Sequence, residues 1–198
     1  DTSANGWISE IEKKFEGGVF RVAAGDINEN HTLLGATGTE AFAMDVSRTR
    51  FVSLSGAYGL MPDTSLLAQV SLGNTSSTGG AIIQDSEAKT QSWSLGLVHQ
   101  EAWRKGDKLA FSIAQPMKVT AGSMNLALPT VDPVTGEGGF DFTRASLVSD
   151  RVETDVEMGY MMPVSGGSSL RFIAAYKMNQ NNDAGNAKVL GMRYQMPF

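Results

Sequence analysis

Cysteine is absent from the 198 residues, histidine occurs only twice, and charged side chains make up just 19% of the chain. The first absence excludes a disulfide-stapled scaffold and any thiolate metal centre. No run of about 18 or more apolar residues is present, which excludes a helical membrane span. At 41% hydrophobic the chain is also too apolar for an acidic disordered segment. Lys and Arg number 16 against 21 Asp and Glu, a net charge of -5, the wrong sign for a protein that wraps nucleic acid. The length suits one domain, and neither an interior linker nor a solenoid repeat divides it. No basic-then-apolar leader precedes Asp1, so the chain reads as a mature fragment of a longer parent or one whose targeting signal has been removed.

What the sequence has in quantity is alternation. Val152, Val156, Met158, Tyr160 and Met162 stand at even positions, with Arg151, Glu153, Asp155 and Glu157 between them. Leu170, Phe172, Ala174, Tyr176 and Met178 repeat the pattern beside Arg171 and Lys177, as do Leu190, Met192, Tyr194, Met196 and Phe198 beside Arg193. A period of two marks strands with one apolar face. Working backward, strands are expected over residues 140–148, 119–128, 107–117, 90–103, 65–75, 50–60, 32–46 and 17–25, ten or eleven in all. Tight turns are expected at 61–64, 103–107 and 163–168, and longer polar connections at 74–89 and 179–186, where Gly, Asn, Asp and Ser supply turn conformations. Ile8, Ile11 and Phe15, at spacings of three and four, suggest a short amphipathic helix or linker over residues 1–16, leaving 17–198 as the sheet domain.

Alternation alone fits both a soluble sandwich and a membrane barrel. In a barrel the apolar face meets lipid, while Arg151, Glu153, Asp155, Glu157, Arg171, Lys177 and Arg193 line a wet interior. Trp93, Trp103, Tyr160 and Tyr176, near strand ends, would form the interfacial aromatic girdles. The fold class expected is all-β, an antiparallel up-and-down transmembrane barrel of about 10–12 strands with a possible short N-terminal helix; twelve would require a strand from residues 1–16.

The terminal segment, with Gly191, Tyr194, Met196 and a final Phe198, resembles the last strand of bacterial outer-membrane barrels, which their assembly machinery reads as a sorting signal. A more specific resemblance is carried by Thr32-Leu33-Leu34-Gly35 leading to Gly38 and Ala41-Phe42, by Ser92-Trp93-Ser94-Leu95-Gly96-Leu97, and by Gly106-Asp107-Lys108-Leu109. It continues through Ala114-Gln115-Pro116-Met117-Lys118-Val119 to Gly122 and Leu126-Ala127-Leu128-Pro129. These stretches are similar to the C-terminal translocator barrels of autotransporters, in particular those behind subtilisin-like serine protease passengers. The resemblance spans residues 32–198, in a chain shorter than that family's usual twelve-stranded domain. It implies residence in a Gram-negative outer membrane, contact with its lipid and with the barrel assembly machinery, and a covalently linked upstream passenger exported to the cell surface.

Enzymatic chemistry is not expected. No nucleophile motif accompanies His31 or His99. Residues 26–30 imitate the start of a calcium loop, but His31 stands where glycine is needed, so they read as a polar turn. Gly35 and Gly38 lack the spacing of a phosphate loop. Glu153 and Asp155, beside Arg151, read as members of an ion-pair network rather than an acid-base pair. No cofactor or metal is implied. A small stand-alone porin-like barrel and a soluble secreted β-sandwich that binds a ligand are the alternative readings.

Overall fold

The computed structural model describes residues 3–33, 36–37 and 45–196. Its strands are β1 (Ser3–Phe15), β2 (Gly18–Asn30), β3 (Thr32–Leu33), β4 (Ala36–Thr37), β5 (Val46–Met61), β6 (Thr64–Thr78), β7 (Ile83–Gln100), β8 (Lys108–Val131), β9 (Gly138–Ser146), β10 (Thr154–Pro163), β11 (Ser169–Met178) and β12 (Ala187–Gln195). Ten of them form one antiparallel up-and-down sheet in the order β1-β2-β5-β6-β7-β8-β10-β11-β12, with β9 also paired to β8; β3 and β4 make a separate two-stranded hairpin. The all-β class and strand number match the alternation of the sequence.

Residues 3–15 form a strand, not the expected helix. Of the residues that suggested a helix, Ile11 and Phe15 are four apart and share one face of the strand with Trp7, whereas Ile8, three before Ile11, falls on the other face. The deciding partner is β2, which pairs with β1 along its whole length, from Ser3 opposite Asn30 to Phe15 opposite Gly18. Residues 26–30, expected as a turn, are likewise the end of β2. The stretch 74–89 is not a long loop, because β6 and β7 continue through it to a short connection at 79–82. Its alternation is one of burial. Thr75, Ser77, Ser86, Ala88 and Thr90 are buried while Ser76, Thr78, Asp85, Glu87 and Lys89 between them are exposed. Their hydroxyls pair across strands, Ser77 Oγ to Ser86 Oγ at 2.7 Å and Thr49 Oγ1 to Thr75 Oγ1 at 3.0 Å, which satisfies groups that would otherwise be costly to bury.

The expected pair 107–117 and 119–128 is one strand, β8. One edge of β8 is shared by two strands in line, since residues 123–131 pair with β9 and residues 108–114 with β10. Pro116, which cannot donate to a ladder, falls in the interval between them, where that edge has no strand partner.

Eight antiparallel steps lead from β1 to β12, an even number, so these two edge strands run in the same direction. Among the described residues they are not paired with each other, and the sheet is open between them. The connections 16–17, 62–63, 101–107 and 164–168 gather at one end of the sheet, the turn end, together with the C-terminal end of β12. The end of β2 at Asn30, the start of β5 at Val46 and the connections 79–82, 132–137 and 179–186 gather at the other, the loop end.

Candidate functional site: two faces of one sheet

The pairing register carries one apolar face unbroken across the sheet. From β1 to β12 it presents Trp7, Ile11 and Phe15, then Phe20, then Val52, Leu54 and Tyr58, then Leu66, Val70 and Leu72, then Trp93, Leu95 and Leu97. It continues with Leu109, Phe111 and Ile113, then Val156, Met158 and Tyr160, then Leu170, Phe172 and Tyr176, and ends with Leu190, Met192 and Tyr194. Along β6 the run from Leu66 to Leu72 covers about 20 Å at ~3.3 Å per residue. Beyond it, at the loop end, the same face turns polar at Asp26, Arg50, Asn74 and Lys89. Asp26 is held there by both Nε and Nη2 of Arg48, at 2.8 and 2.5 Å, and by Arg50 Nε at 3.2 Å.

Among the described residues nothing covers this face. Leu190 is 86% and Met192 71% exposed, and the buried hydrophobic residues among those described are Ala88 and Ala127 alone. The surface totals 13038 Å², against about 9,000 Å² for a folded monomer of this mass. The second layer that a β-sandwich requires is absent among the described residues.

The opposite face mixes serines, glutamine and charges with smaller apolar side chains, among them Val19, Ala57, Leu67 and Val98. Ser53, Ser71 and Ser92 stand directly across from one another on β5, β6 and β7, as do Ser55, Gln69 and Ser94, and Ser71 Oγ donates to Ser53 Oγ at 2.8 Å. A hollow of about 480 Å³ on this face is lined by Arg21, Ser55, Gln69, Ser94 and Ser112, among others. Phe51, an aromatic among these small residues, sits opposite Gly25, where an added Cβ would lie 2.5 Å from its ring; glycine is what lets the ring lie flat on the neighbouring strand.

Five of the seven charges expected to line an interior, Asp155, Glu157, Arg171, Lys177 and Arg193, lie on this polar face of β10, β11 and β12. Asp155 is opposite Lys177, whose Nζ donates to Asp155 Oδ2 at 2.6 Å and stands 3.6 Å from Glu153 Oε1. Glu153 precedes β10 and is buried; its Oε2 accepts the Asn181 N–H at 2.8 Å and its own N–H donates to Asn182 Oδ1 at 3.0 Å. Asn179, Asn181 and Asn182 all adopt left-handed backbone, which asparagine tolerates, and this shapes the 179–186 connection around the carboxylate. Arg151 is exposed in the 147–153 segment, outside any strand. A second charged cluster escaped sequence reading. Arg21 bridges Glu12 at 2.7 Å and Glu10 at 3.1 Å on β1. The alternation of Glu10, Glu12 and Lys14 was visible, but the helical reading of residues 1–16 hid it.

The aromatics divide between the two borders of the apolar face. At the turn end Trp103 and Tyr160 meet edge to face with centroids 4.9 Å apart, and Phe15 stacks near Tyr58 at 6.2 Å. Trp93 and Tyr176 stand toward the loop end, and Trp93 Nε1 donates to Gln115 Oε1 at 3.2 Å. Asp107, fully buried in the 101–107 turn, locks the first pair in place. Its Oδ2 accepts the Tyr160 hydroxyl at 2.8 Å, the Arg104 N–H at 2.9 Å and the Trp103 N–H at 3.2 Å. Burial pushes the Asp107 carboxyl up, but these donors outweigh it and hold it below the usual carboxylate range. Of the terminal residues, Gly191 lies on the polar face of β12, Tyr194 on the apolar face, and Met196 is exposed just after the strand; Phe198 lies outside the described residues. His99 Nδ1 pairs with Thr64 Oγ1 at 2.8 Å at the turn-end border, and no carboxylate orients it.

No family model, curated protein or solved structure matches the chain. What the site can do therefore rests on its two faces.

Proposed function

We propose that this chain is a transmembrane β-barrel of the bacterial outer membrane acting as the translocator of an autotransporter, a secretion module without catalytic chemistry of its own. The observation that carries the membrane part is the apolar face, which is continuous over nine strands and against which none of the described residues packs. In water such a surface would aggregate; against hydrocarbon it is at rest, and the row of small hydroxyl and charged side chains behind it then faces a hydrated interior. Aromatics at both borders and short connections gathered at one end agree with a barrel set in a bilayer. The translocator part rests on the sequence resemblance, with the neutral Ser and Gln surface of β5 to β7 offering an extended segment hydrogen-bonding partners without burying charge.

The deciding experiment has two arms. The purified chain should be all-β by circular dichroism and heat-modifiable on gels in detergent, and should precipitate when detergent is removed. A folded monomer in plain buffer would defeat the membrane assignment. A reporter domain placed before Asp1 should become accessible to external protease on intact cells; a folded barrel in the outer membrane with the reporter retained inside would leave a stand-alone porin-like barrel as the function.

A further inference from the structure

Cations on the polar face of the sheet differ in their partners, and Lys14 of β1 stands 3.8 Å from Glu12 alone. Arg21 and Lys177 each hold two carboxylates, Glu10 with Glu12 and Asp155 with Glu153. Lys108, Arg171 and Arg193 hold none among the described residues, although they share one row, because Met161 of β10 is opposite Lys108 on one side and Arg171 on the other, and Arg171 is opposite Arg193. Like charges placed directly across a ladder destabilise a sheet. In a chain with net charge -5, the residue set between Lys108 and Arg171 is the uncharged Met161, and the nearby carboxylate on this face of β10 is Glu157, four positions away.

The small Ala110 and Gly159 leave room. A hollow of about 230 Å³ is lined by Lys108, Ala110, Gly159, Met161, Arg171 and Ile173 together with the Glu157 carboxylate, and Arg193 stands outside it, opposite Arg171 on the next strand. That is below the ~300 Å³ at which pockets for whole drug-sized molecules begin, and ample for one ionised group with its hydrating waters. Arginines at directly opposed positions on neighbouring strands can offer N–H donors to a planar or tetrahedral oxyanion, and Lys108 adds a positive charge from a strand two spacings of ~4.8 Å from that of Arg171.

We infer that Arg171, Arg193 and Lys108 form an oxyanion-binding site on the polar face near the turn end, taking a carboxylate of an acidic polypeptide segment or a free phosphate. The site needs only that this face be hydrated; it does not depend on the chain exporting a passenger.

The test uses the full 198-residue chain folded in nonionic detergent and titrated calorimetrically with inorganic phosphate in one arm and with a Glu-rich hexapeptide in the other. Wild type should bind at least one of them saturably, with affinity that falls as salt is raised. Binding of phosphate alone assigns a small-anion site, and binding of the peptide alone or of both assigns a site for acidic polypeptide. The double variant R171Q/R193Q should lose tenfold or more, the loss expected when charged hydrogen bonds of ~1.5–3 kcal/mol are removed. R144Q, which alters an arginine on β9 bonded to Ser123, should bind as wild type does. R171K and R193K, which keep the charge, should bind with intermediate affinity and provide the reading if the double variant does not fold. Absence of saturable binding in both arms overturns the site, as does an equal loss in R144Q. A fall in melting temperature on Arg171 and Arg193 replacement without any anion affinity would also overturn it, assigning the two arginines to support of the sheet.

Discussion

Asp107 shows how one residue ties a connection to the sheet. Its carboxylate gathers donors from two backbone amides of its own turn and from Tyr160 on β10, so the turn cannot loosen without releasing an aromatic at the border of the apolar face. Because its folded pKa is depressed, the stabilisation it provides is fully present above the unfolded value of about 3.9 and is lost as pH falls through the lower folded value. The melting temperature of wild type should therefore exceed that of D107N from pH 7 down to about pH 4, and the two should converge in stronger acid. A gap of the same size at pH 3 and pH 7 would show that the carboxylate charge contributes nothing to the turn. The sequence marked this aspartate only as part of the Gly106-Asp107-Lys108-Leu109 stretch of the family resemblance, with no role of its own. A turn ending in Gly106-Asp107 was legible, but the partner that gives the residue its role is 53 positions away, and long-range register is what local spacing does not contain.

Facing is decided at the scale of the element, and adjacent residues of one strand test it. Met158 and Glu157 are neighbours on β10, the first opposite Phe111 and Ala174, the second opposite Ser112 and Ala175. With lipid on the apolar side, M158R should cost ~2–4 kcal/mol if the residue lies near the bilayer midplane, while E157R should cost far less; denaturant titration in lipid vesicles measures both. Equal tolerance would mean that neither face is buried in hydrocarbon. Elements whose side chains alternate in hydropathy, β10 to β12 above all, were legible from the residues alone. β1 was not, because its apolar spacing of four suits helix and strand alike. The outer halves of β6 and β7 were hidden for a different reason: Thr75, Ser77 and Ser86 alternate in burial with residues just as polar, so no apolar period marks them.

For the molecule as a whole, the direction of its edges matters most. A sheet in lipid cannot leave an edge unpaired, because hydrocarbon offers backbone amides no partner at a cost of several kcal/mol each. The polar faces of the two edge strands are complementary in charge, Glu10 and Glu12 on β1 against Arg193 on β12, yet the strands run the same way, so a direct seal between them is a parallel one. Single-chain barrels of bacterial outer membranes favour even numbers and antiparallel seams. Adding one strand changes the parity: a segment of alternating residues joined ahead of Ser3 by a two-residue Asn-Gly turn would return antiparallel along β1 and present an edge antiparallel to β12. Such an extended chain should resist unfolding by sodium dodecyl sulfate at a higher temperature than the 198 residues alone, provided that the added strand carries lysine or arginine opposite Glu10 and Glu12 and glutamate on its polar face toward Arg193. Shifting the added pattern by one residue, which puts its charges on the lipid side, should abolish the gain. If the in-register and shifted extensions behave alike, the lack of an antiparallel partner along β1 is not what limits the stability of the sheet.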